Sequence, residues 1–197
     1  MKSLLTLICL SFLIISCGKK QITVPGGKDL TGYEINDIDG STSSYVIKKD
    51  ENGNIIEEGM ITDGIQNGTW ITYFPEESNK MKTVINYVNG AMNGPYLEFN
   101  DRGQIEKKQS FTNNKIHGLY AEYKFGRPLK EYMYHDGMLD GYSREYSDRG
   151  NLRKEALYKK GKLDGLFKQF DEEGNVVLEY EYNNGEKVSG GIVSKNE

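Results

Sequence analysis

The sequence is poor in the residues that most catalytic and metal sites require. Its 197 residues include two cysteines, two histidines and one tryptophan. Cys9 and Cys17 both precede residue 18, so we expect neither a disulfide nor a thiolate metal site in the rest of the chain. The histidines, His117 and His135, fall in turn segments where polar residues are ordinary, and we expect no metal there. No serine–histidine nucleophile pattern or phosphate-binding loop is present, which predicts a non-enzyme without a cofactor.

The chain also lacks an excess of positive charge. Its formal net charge is −4, and no stripe of lysine and arginine runs along it. Binding to a phosphate backbone selects basic surfaces, so nucleic acid is excluded as an expected partner. Glycine and tyrosine are abundant instead, with 23 and 14 residues, a usage that favours strands and turns over helices.

A single long apolar run is present, at residues 4–15, and it is too short to span a bilayer comfortably. Lys2 precedes it, and Ser16, Cys17 and Gly18 follow it, as in a secretory signal. This end of the run resembles the lipobox of bacterial lipoproteins. The resemblance implies a signal peptide at residues 1–16 and acylation of Cys17, for example by palmitate, which would anchor the protein to a membrane of the cell envelope. The alternative is an ordinary secretory signal that carries a cysteine by chance.

Three further segments are predicted after the signal. Residues 17–44 show no sustained apolar period and are rich in glycine and serine, which predicts a flexible linker. The resemblance to a lipobox implies that the N-terminus of this segment is lipidated. Residues 45–191 form a repeat array, and residues 192–197 are a C-terminal tail.

Glycine pairs with three residues between them mark the repeats. The second glycines of these pairs, here called the closing glycines, are 23 to 26 residues apart, and we interpret them as structural turn positions: Gly68, Gly94, Gly118, Gly141 and Gly165. At Asn114 an asparagine replaces the first glycine, and asparagine is the residue that best tolerates a positive φ after glycine.

Aromatic residues recur at three fixed places in each repeat. Two residues after the closing glycine stand Trp70, Tyr96, Tyr120, Ser143 and Phe167. Five residues after it stand Tyr73, Phe99, Tyr123, Tyr146 and Phe170, and a final aromatic precedes each new turn at Tyr87, Phe111, Tyr134, Tyr158 and Tyr182. Offsets of two and five fall on opposite faces of a strand unless a bulge intervenes.

Two kinds of turn divide each repeat into two strands. Four-residue tips that end in glycine, such as residues 100–103, suit a type I turn closed by a left-handed glycine. Two-residue turns such as Asn89-Gly90 alternate with them. The pattern predicts an all-β fold of consecutive antiparallel hairpins in an elongated, twisted, single-layer sheet.

These residues resemble the MORN repeat variant of bacteria, the repeat of the YwqK-type antitoxin family. The match covers roughly residues 45–191 and rests on the glycine pairs, the apolar residue between them and the aromatic residues after them. The resemblance implies a MORN-like hairpin array that serves as a scaffold or binding surface. The family's association with antitoxins motivates an antitoxin-like role as an alternative, since a fold does not by itself determine function.

Two rows of side chains are candidate sites. Glu98, Glu122 and Glu145 each stand four residues after a closing glycine, on the first strand of a repeat. The second strand of the repeat, here called the return strand, would separate them by about 9–10 Å, too far to share a cation. We therefore expect a solvated charged stripe. The aromatic residues after the closing glycines either pack against neighbouring hairpins or form a binding surface. The candidate binding residues are Trp70, Tyr96, Tyr120 and Phe167.

The sequence thus predicts a membrane-anchored, non-catalytic binding module of the cell envelope with a protein or cell-wall polymer as its partner. Two alternatives remain open: an antitoxin-like or immunity-like protein that neutralises a toxin, and an enzyme of unrecognised type. An enzyme would need a pocket of converging polar side chains that the repeat pattern does not predict.

Overall fold

The computed structural model describes residues 27–75 and 77–193, apart from the side chains of residues 78 and 79. The predicted signal peptide, Cys17 and residues 194–197 lie outside the described residues. In the described part, no helix has the length and apolarity needed to cross a membrane.

In the part of the chain that the structure describes, fifteen antiparallel strands form one open sheet, which confirms the predicted all-β, single-layer fold. The strands follow one another in chain order from β1 to β15, except that the two-residue β8 pairs beside β9 on β7. Their bounds are β1 Tyr33–Asp37, β2 Ser43–Lys49, β3 Ile55–Thr62, β4 Ile65–Phe74, β5 Glu77–Val88, β6 Ala91–Phe99, β7 Ile105–Thr112, β8 Lys115–Ile116, β9 Gly118–Lys124, β10 Arg127–His135, β11 Met138–Tyr146, β12 Leu152–Lys159, β13 Lys162–Phe170, β14 Val176–Asn183 and β15 Glu186–Ile192.

Two-residue turns with positive φ at both positions join the hairpins along one edge of the sheet. Asn89 and Gly90 have φ values of 48° and 79°, the signature of a type I′ turn. Asn114, which replaces glycine, has φ 65°, so it adopts the left-handed backbone that the substitution predicts.

The predicted four-residue tips lie along the other edge. In the tip at residues 100–103, the Gly103 amide donates to the Asn100 carbonyl over 2.9 Å, and Gly103 has φ 75°. The Asn100 side-chain oxygen accepts from the amides of Arg102 and Gln104, each at 3.0 Å, which explains why asparagine or aspartate begins such tips.

The five closing glycines lie in strand bulges and not in the hairpin turns, which corrects the turn assignment. Between β5 and β6 the register shifts from the pair Ile85–Tyr96 to the pair Tyr87–Met92, so Gly94 falls in the extra length of β6. The closing glycines have φ values from 73° at Gly68 to 116° at Gly141. A bulge places one or more extra residues on one strand, and a left-handed residue in it favours glycine.

Hydrogen bonds between successive turns hold neighbouring hairpins together at this edge. The Gly90 amide donates to the Gln66 carbonyl over 2.8 Å, and the Gly137 amide donates to the Ile116 carbonyl over 2.8 Å. The same bond recurs from Gly161 to Leu139 and from Gly185 to Leu163. The register between repeats is therefore fixed by backbone contacts as well as by side chains.

The sheet begins earlier than predicted, because residues 33–37 and 43–44 of the expected flexible linker belong to strands. Tyr33, Val46, Ile61 and Trp70 form the buried cluster of this end, and Leu30 packs against it. The missed signal is the tip at residues 50–54, Asp-Glu-Asn-Gly-Asn, which nearly repeats the Asp-Glu-Glu-Gly-Asn of residues 171–175. The aromatic residues and the glycine pair that mark the other repeats are absent from their places in the segments on either side of this tip, so the pattern did not include these segments.

Gly141 offers a direct test of the bulge backbone. Its φ is 116°, and a Cβ built there would lie 2.9 Å from the Cβ of Met133. Gly141→Val should therefore destabilise the protein by about 1–3 kcal/mol. The control is Gly137→Asn in a turn with open space around it, where another repeat already carries Asn114. Thermal and denaturant melts measure both; equal and negligible losses in the two variants would show that the bulge makes no demand on Gly141.

Candidate binding surface

The strand register places the rings that follow the closing glycines on one face of the sheet. Residues directly across from each other share a face, and one such row runs from Val46 in β2 to Gly190 in β15. Direct pairs link Val46, Gly59, Trp70, Ile85, Tyr96 and Gln109, and direct pairs also link Tyr120, Tyr132, Ser143, Ala156, Phe167, Tyr180 and Gly190. Gln109 and Tyr120 each stand one residue beyond the pair Lys108–Ala121, which joins the two parts of the row. We call this row the central row, and this side of the sheet the aromatic face.

The final aromatic of each repeat lies on the aromatic face too, directly across from a closing glycine. Gly94 pairs with Phe111, and Gly165 pairs with Tyr182. The four rings that follow closing glycines each meet the final aromatic of their own repeat edge to face. The Tyr96 and Phe111 centroids are 6.4 Å apart at 86°, and those of Phe167 and Tyr182 are 6.3 Å apart at 68°. Such pairs add about 0.5–1.5 kcal/mol beyond the area they bury.

A row of alternating charges runs beside the rings on the same face. Its members pair in the order Glu98, Lys107, Glu122, Lys130, Glu145 and Lys154. Within each of three cross-strand pairs, the lysine nitrogen lies 3.2–3.3 Å from a carboxylate oxygen. The three glutamates are thus separated by return strands, as predicted, and each intervening strand contributes a lysine. The row is a ladder of ion pairs. Because a lysine lies between neighbouring glutamates, the glutamates are not placed to share a cation.

Tyrosines of the central row donate hydrogen bonds to glutamates of this charged row. The Tyr96 hydroxyl donates to Glu98 over 3.1 Å, and the Tyr120 hydroxyl donates to Glu122. Burial, aided by the neighbouring carboxylate, raises the pKa of Tyr96 to about 12. The hydrogen bond from Tyr120 lowers the pKa of Glu122, and Lys130 lowers it further. The two phenols therefore stay neutral and the Glu122 carboxylate stays charged at neutral pH.

Ser143 stands where the other repeats carry an aromatic residue, and a ring from the neighbouring strand makes the hydrogen bond that is expected of that residue. Tyr132 pairs directly with Ser143, and its hydroxyl donates to Glu145 over 3.4 Å, the bond that Tyr96 and Tyr120 make within their own strands. Ser143 is 6% exposed and Ala156 beside it is 0% exposed. The small residues leave room for the rings of adjacent strands.

Trp70 is wrongly assigned to the candidate binding surface. It is 1% exposed, its indole nitrogen donates to the Met60 carbonyl over 2.9 Å, and its ring covers Gly59. Lys28 lies 4.5 Å above the ring and also pairs with Glu57, so the segment before β1 covers this end of the aromatic face. The sequence pattern gave no sign of this cover, because it placed the segment in a linker.

The other three candidates, Tyr96, Tyr120 and Phe167, lie half-buried on the aromatic face and stay candidates. The structure adds rings from the return strands that the prediction did not include. Tyr120 stacks on Tyr132 with centroids 5.8 Å apart, and Phe167 stacks on Tyr180 at 6.3 Å. An alignment of the repeats would have shown that these return-strand rings lie directly across from the rings that follow the closing glycines.

The rings five residues after the closing glycine lie on the opposite face, as their offset predicts. The Tyr73 hydroxyl donates to Glu58 over 2.6 Å, and the Tyr146 hydroxyl donates to Glu131 over 2.8 Å. Farther along this face, Arg144 bonds to Glu155 at 2.6 Å. Leu157 and Leu166, 42% and 39% exposed, lie on this opposite face, next to Ala156 and Phe167 of the aromatic face, and serve as control positions.

Together these features define a tandem array of β-hairpins in which each unit contacts its neighbours. The family model described as the MORN repeat variant matches residues 139–160 and 163–184. Each matched stretch covers one hairpin, β11 with β12 and β13 with β14. The resemblance to MORN repeats is therefore confirmed for two consecutive units.

Comparison with curated proteins finds no significant match. Among solved structures, the crystal structure of TarM aligns with 67% of this chain at 13% identity and a TM-score of 0.27. The chain spans 22% of the length of that structure.

Proposed function

We propose that this protein is a non-catalytic binding module of the bacterial cell envelope, held there by an acyl group on Cys17. The observation that carries the proposal is the aromatic face, where half-buried rings and paired charges recur from hairpin to hairpin. A catalytic site needs a unique set of converging groups, whereas a repeated surface suits distributed contact with an extended partner.

The chemistry of the aromatic face favours a protein or a cell-wall polymer as partner. Tyrosine offers a large apolar ring and a polar tip at a low cost in side-chain entropy, which is why it is enriched in binding surfaces. The lysines of the charged row are paired with glutamates, so the row presents little net positive potential. A polyanion would gain little from such a surface.

A toxin is one class of protein partner within this proposal, and the resemblance to an antitoxin-associated repeat motivates it. The same aromatic face would hold it. Identification of the captured partner separates the cases, since a toxin arrests growth when expressed alone and ceases to do so when this protein is present.

Anchoring is tested by Cys17→Ser in the full chain. Acyl labelling with a palmitate analogue should disappear, and unprocessed precursor should accumulate, because the acceptor thiol is absent. Cys9→Ser is the matched control and should label like the parent. Undiminished labelling of the Cys17→Ser protein would contradict the proposed anchor.

Binding by the aromatic face is tested by cross-linking and capture in the native envelope. The double variant Tyr120→Ala and Phe167→Ala should retain less than about a tenth of the captured partner, since truncated aromatic anchors each cost about 1–2 kcal/mol or more. The control carries Leu157→Ala and Leu166→Ala on the opposite face and should capture like the parent.

Melting curves of both double variants establish that each is folded at the assay temperature. Equal losses of capture in the two folded variants, or no loss in either, would place the contact elsewhere and sink the proposal for this face.

A further inference from the structure

Two histidines and an aspartate from neighbouring hairpins meet at the turn edge of the sheet. The rings of His117 and His135 have centroids 4.6 Å apart. His117 Nδ1 lies 3.2 Å from one oxygen of Asp136, and His135 Nε2 lies 3.6 Å from the other. One ligand atom from each residue falls within 4.8 Å of the others.

The backbone sets this arrangement. His117 lies in the bulge segment between β8 and β9, and Asp136 is the first residue of the next turn, with φ 49°. The hydrogen bond from the Gly137 amide to the Ile116 carbonyl, 2.8 Å long, joins the two segments beside the cluster. The same bond recurs at other turns, so the spacing of the segments belongs to the fold.

In contrast to the expectation from the sequence, we propose that His117, His135 and Asp136 bind a divalent first-row transition metal ion such as Zn²⁺. Two imidazole nitrogens and a carboxylate oxygen suit zinc, copper and nickel, whereas calcium and magnesium prefer oxygen ligands. Zinc bonds of about 2.0–2.1 Å in a tetrahedral site separate ligand atoms by about 3.3 Å. The distance from His117 Nδ1 to Asp136 Oδ1, 3.2 Å, is already near this value, and His135 Nε2 lies 3.6 Å from the other oxygen of the same carboxylate. All three side chains are exposed enough to leave a position for water.

Acceptance of a backbone hydrogen bond explains why a polar residue stands at His117, but it does not explain why a second histidine, His135, stands beside it. The His117 nitrogen accepts from the Asp136 amide over 3.4 Å, just as the Asp140 carboxylate accepts from the Lys160 amide over 3.3 Å in the next hairpin. Any polar acceptor can fill that place. It does not require a second imidazole beside it.

Other repeats show what each position carries when no such cluster forms. Asn93 occupies the place of His117, Asn183 that of His135, and Asn184 that of Asp136. The three positions are therefore open to asparagine within this fold. A metal ion here would join two successive hairpins at their turns, and it would stabilise the folded array by mass action.

The test is a Zn²⁺ titration of the full chain in detergent micelles, which accommodate the apolar residues 4–15. Since the chain contains two histidines, both of its imidazole signals in NMR spectra report on the cluster. We expect both signals to shift with Zn²⁺ and the melting temperature to rise. Imidazole signals that stay unchanged at saturating Zn²⁺ would overturn the proposal without any variant.

Calorimetry of variants assigns the ligands. His117→Asn, His135→Asn and Asp136→Asn should each weaken Zn²⁺ binding at least about tenfold, since even outer-shell changes cost about 10–100-fold. Asp140→Asn removes a carboxylate from the equivalent place in the next hairpin and should bind like the parent. Binding through Cys9 or Cys17 would be the same in every variant. Parent-like affinity in all three cluster variants, or an equal loss in Asp140→Asn, would overturn the proposal.

Discussion

The contact on which this structure depends is the one between two aromatic rings on the same face of a thin sheet. Among the described residues no second layer covers the strands, so apolar area must be buried between neighbouring side chains of one face. The ring of the central row meets the final aromatic of the same repeat edge to face, as Tyr96 meets Phe111. The final aromatic stands directly across from a closing glycine, which lies in the bulge of the neighbouring strand. At the first end of the array, the ring of Trp70 occupies the space that a Cβ at Gly59 would fill.

Local patterns made much of this fold predictable. Type I′ turns, glycine-closed tips and alternation along strands are determined by neighbouring residues, and Asn114 showed from the sequence alone that the backbone at its position is left-handed. Features that depend on residues distant in the chain were missed. The bulges at the closing glycines arise from pairing with the preceding return strand, and the burial of Trp70 depends on Lys28 and Leu30 from a segment without repeat marks. The meeting of His117 with His135 likewise needs the register between two hairpins.

The same rings that stabilise the sheet are the ones that the proposed partner would contact. Tyr120 and Phe167 stack on return-strand tyrosines and remain half-buried, so the fold holds them in place before any partner arrives. Rigid rings lose little entropy on binding, which is the advantage of building a binding surface on strands. The ladder of glutamates and lysines beside them keeps the face hydrated and nearly neutral, and its ion pairs contribute modestly to stability because they are partly exposed.

A double-mutant cycle on Tyr96 and Phe111 tests most directly whether ring pairs hold the sheet together. Free energies of unfolding are measured for the parent, Tyr96→Ala, Phe111→Ala and the double variant, with Tyr96 and the distant Tyr182 as the control cycle. The account predicts a coupling of about 0.5–1.5 kcal/mol for the contacting pair and additive losses for the distant pair. Losses that are additive within about 0.3 kcal/mol in both cycles would contradict it.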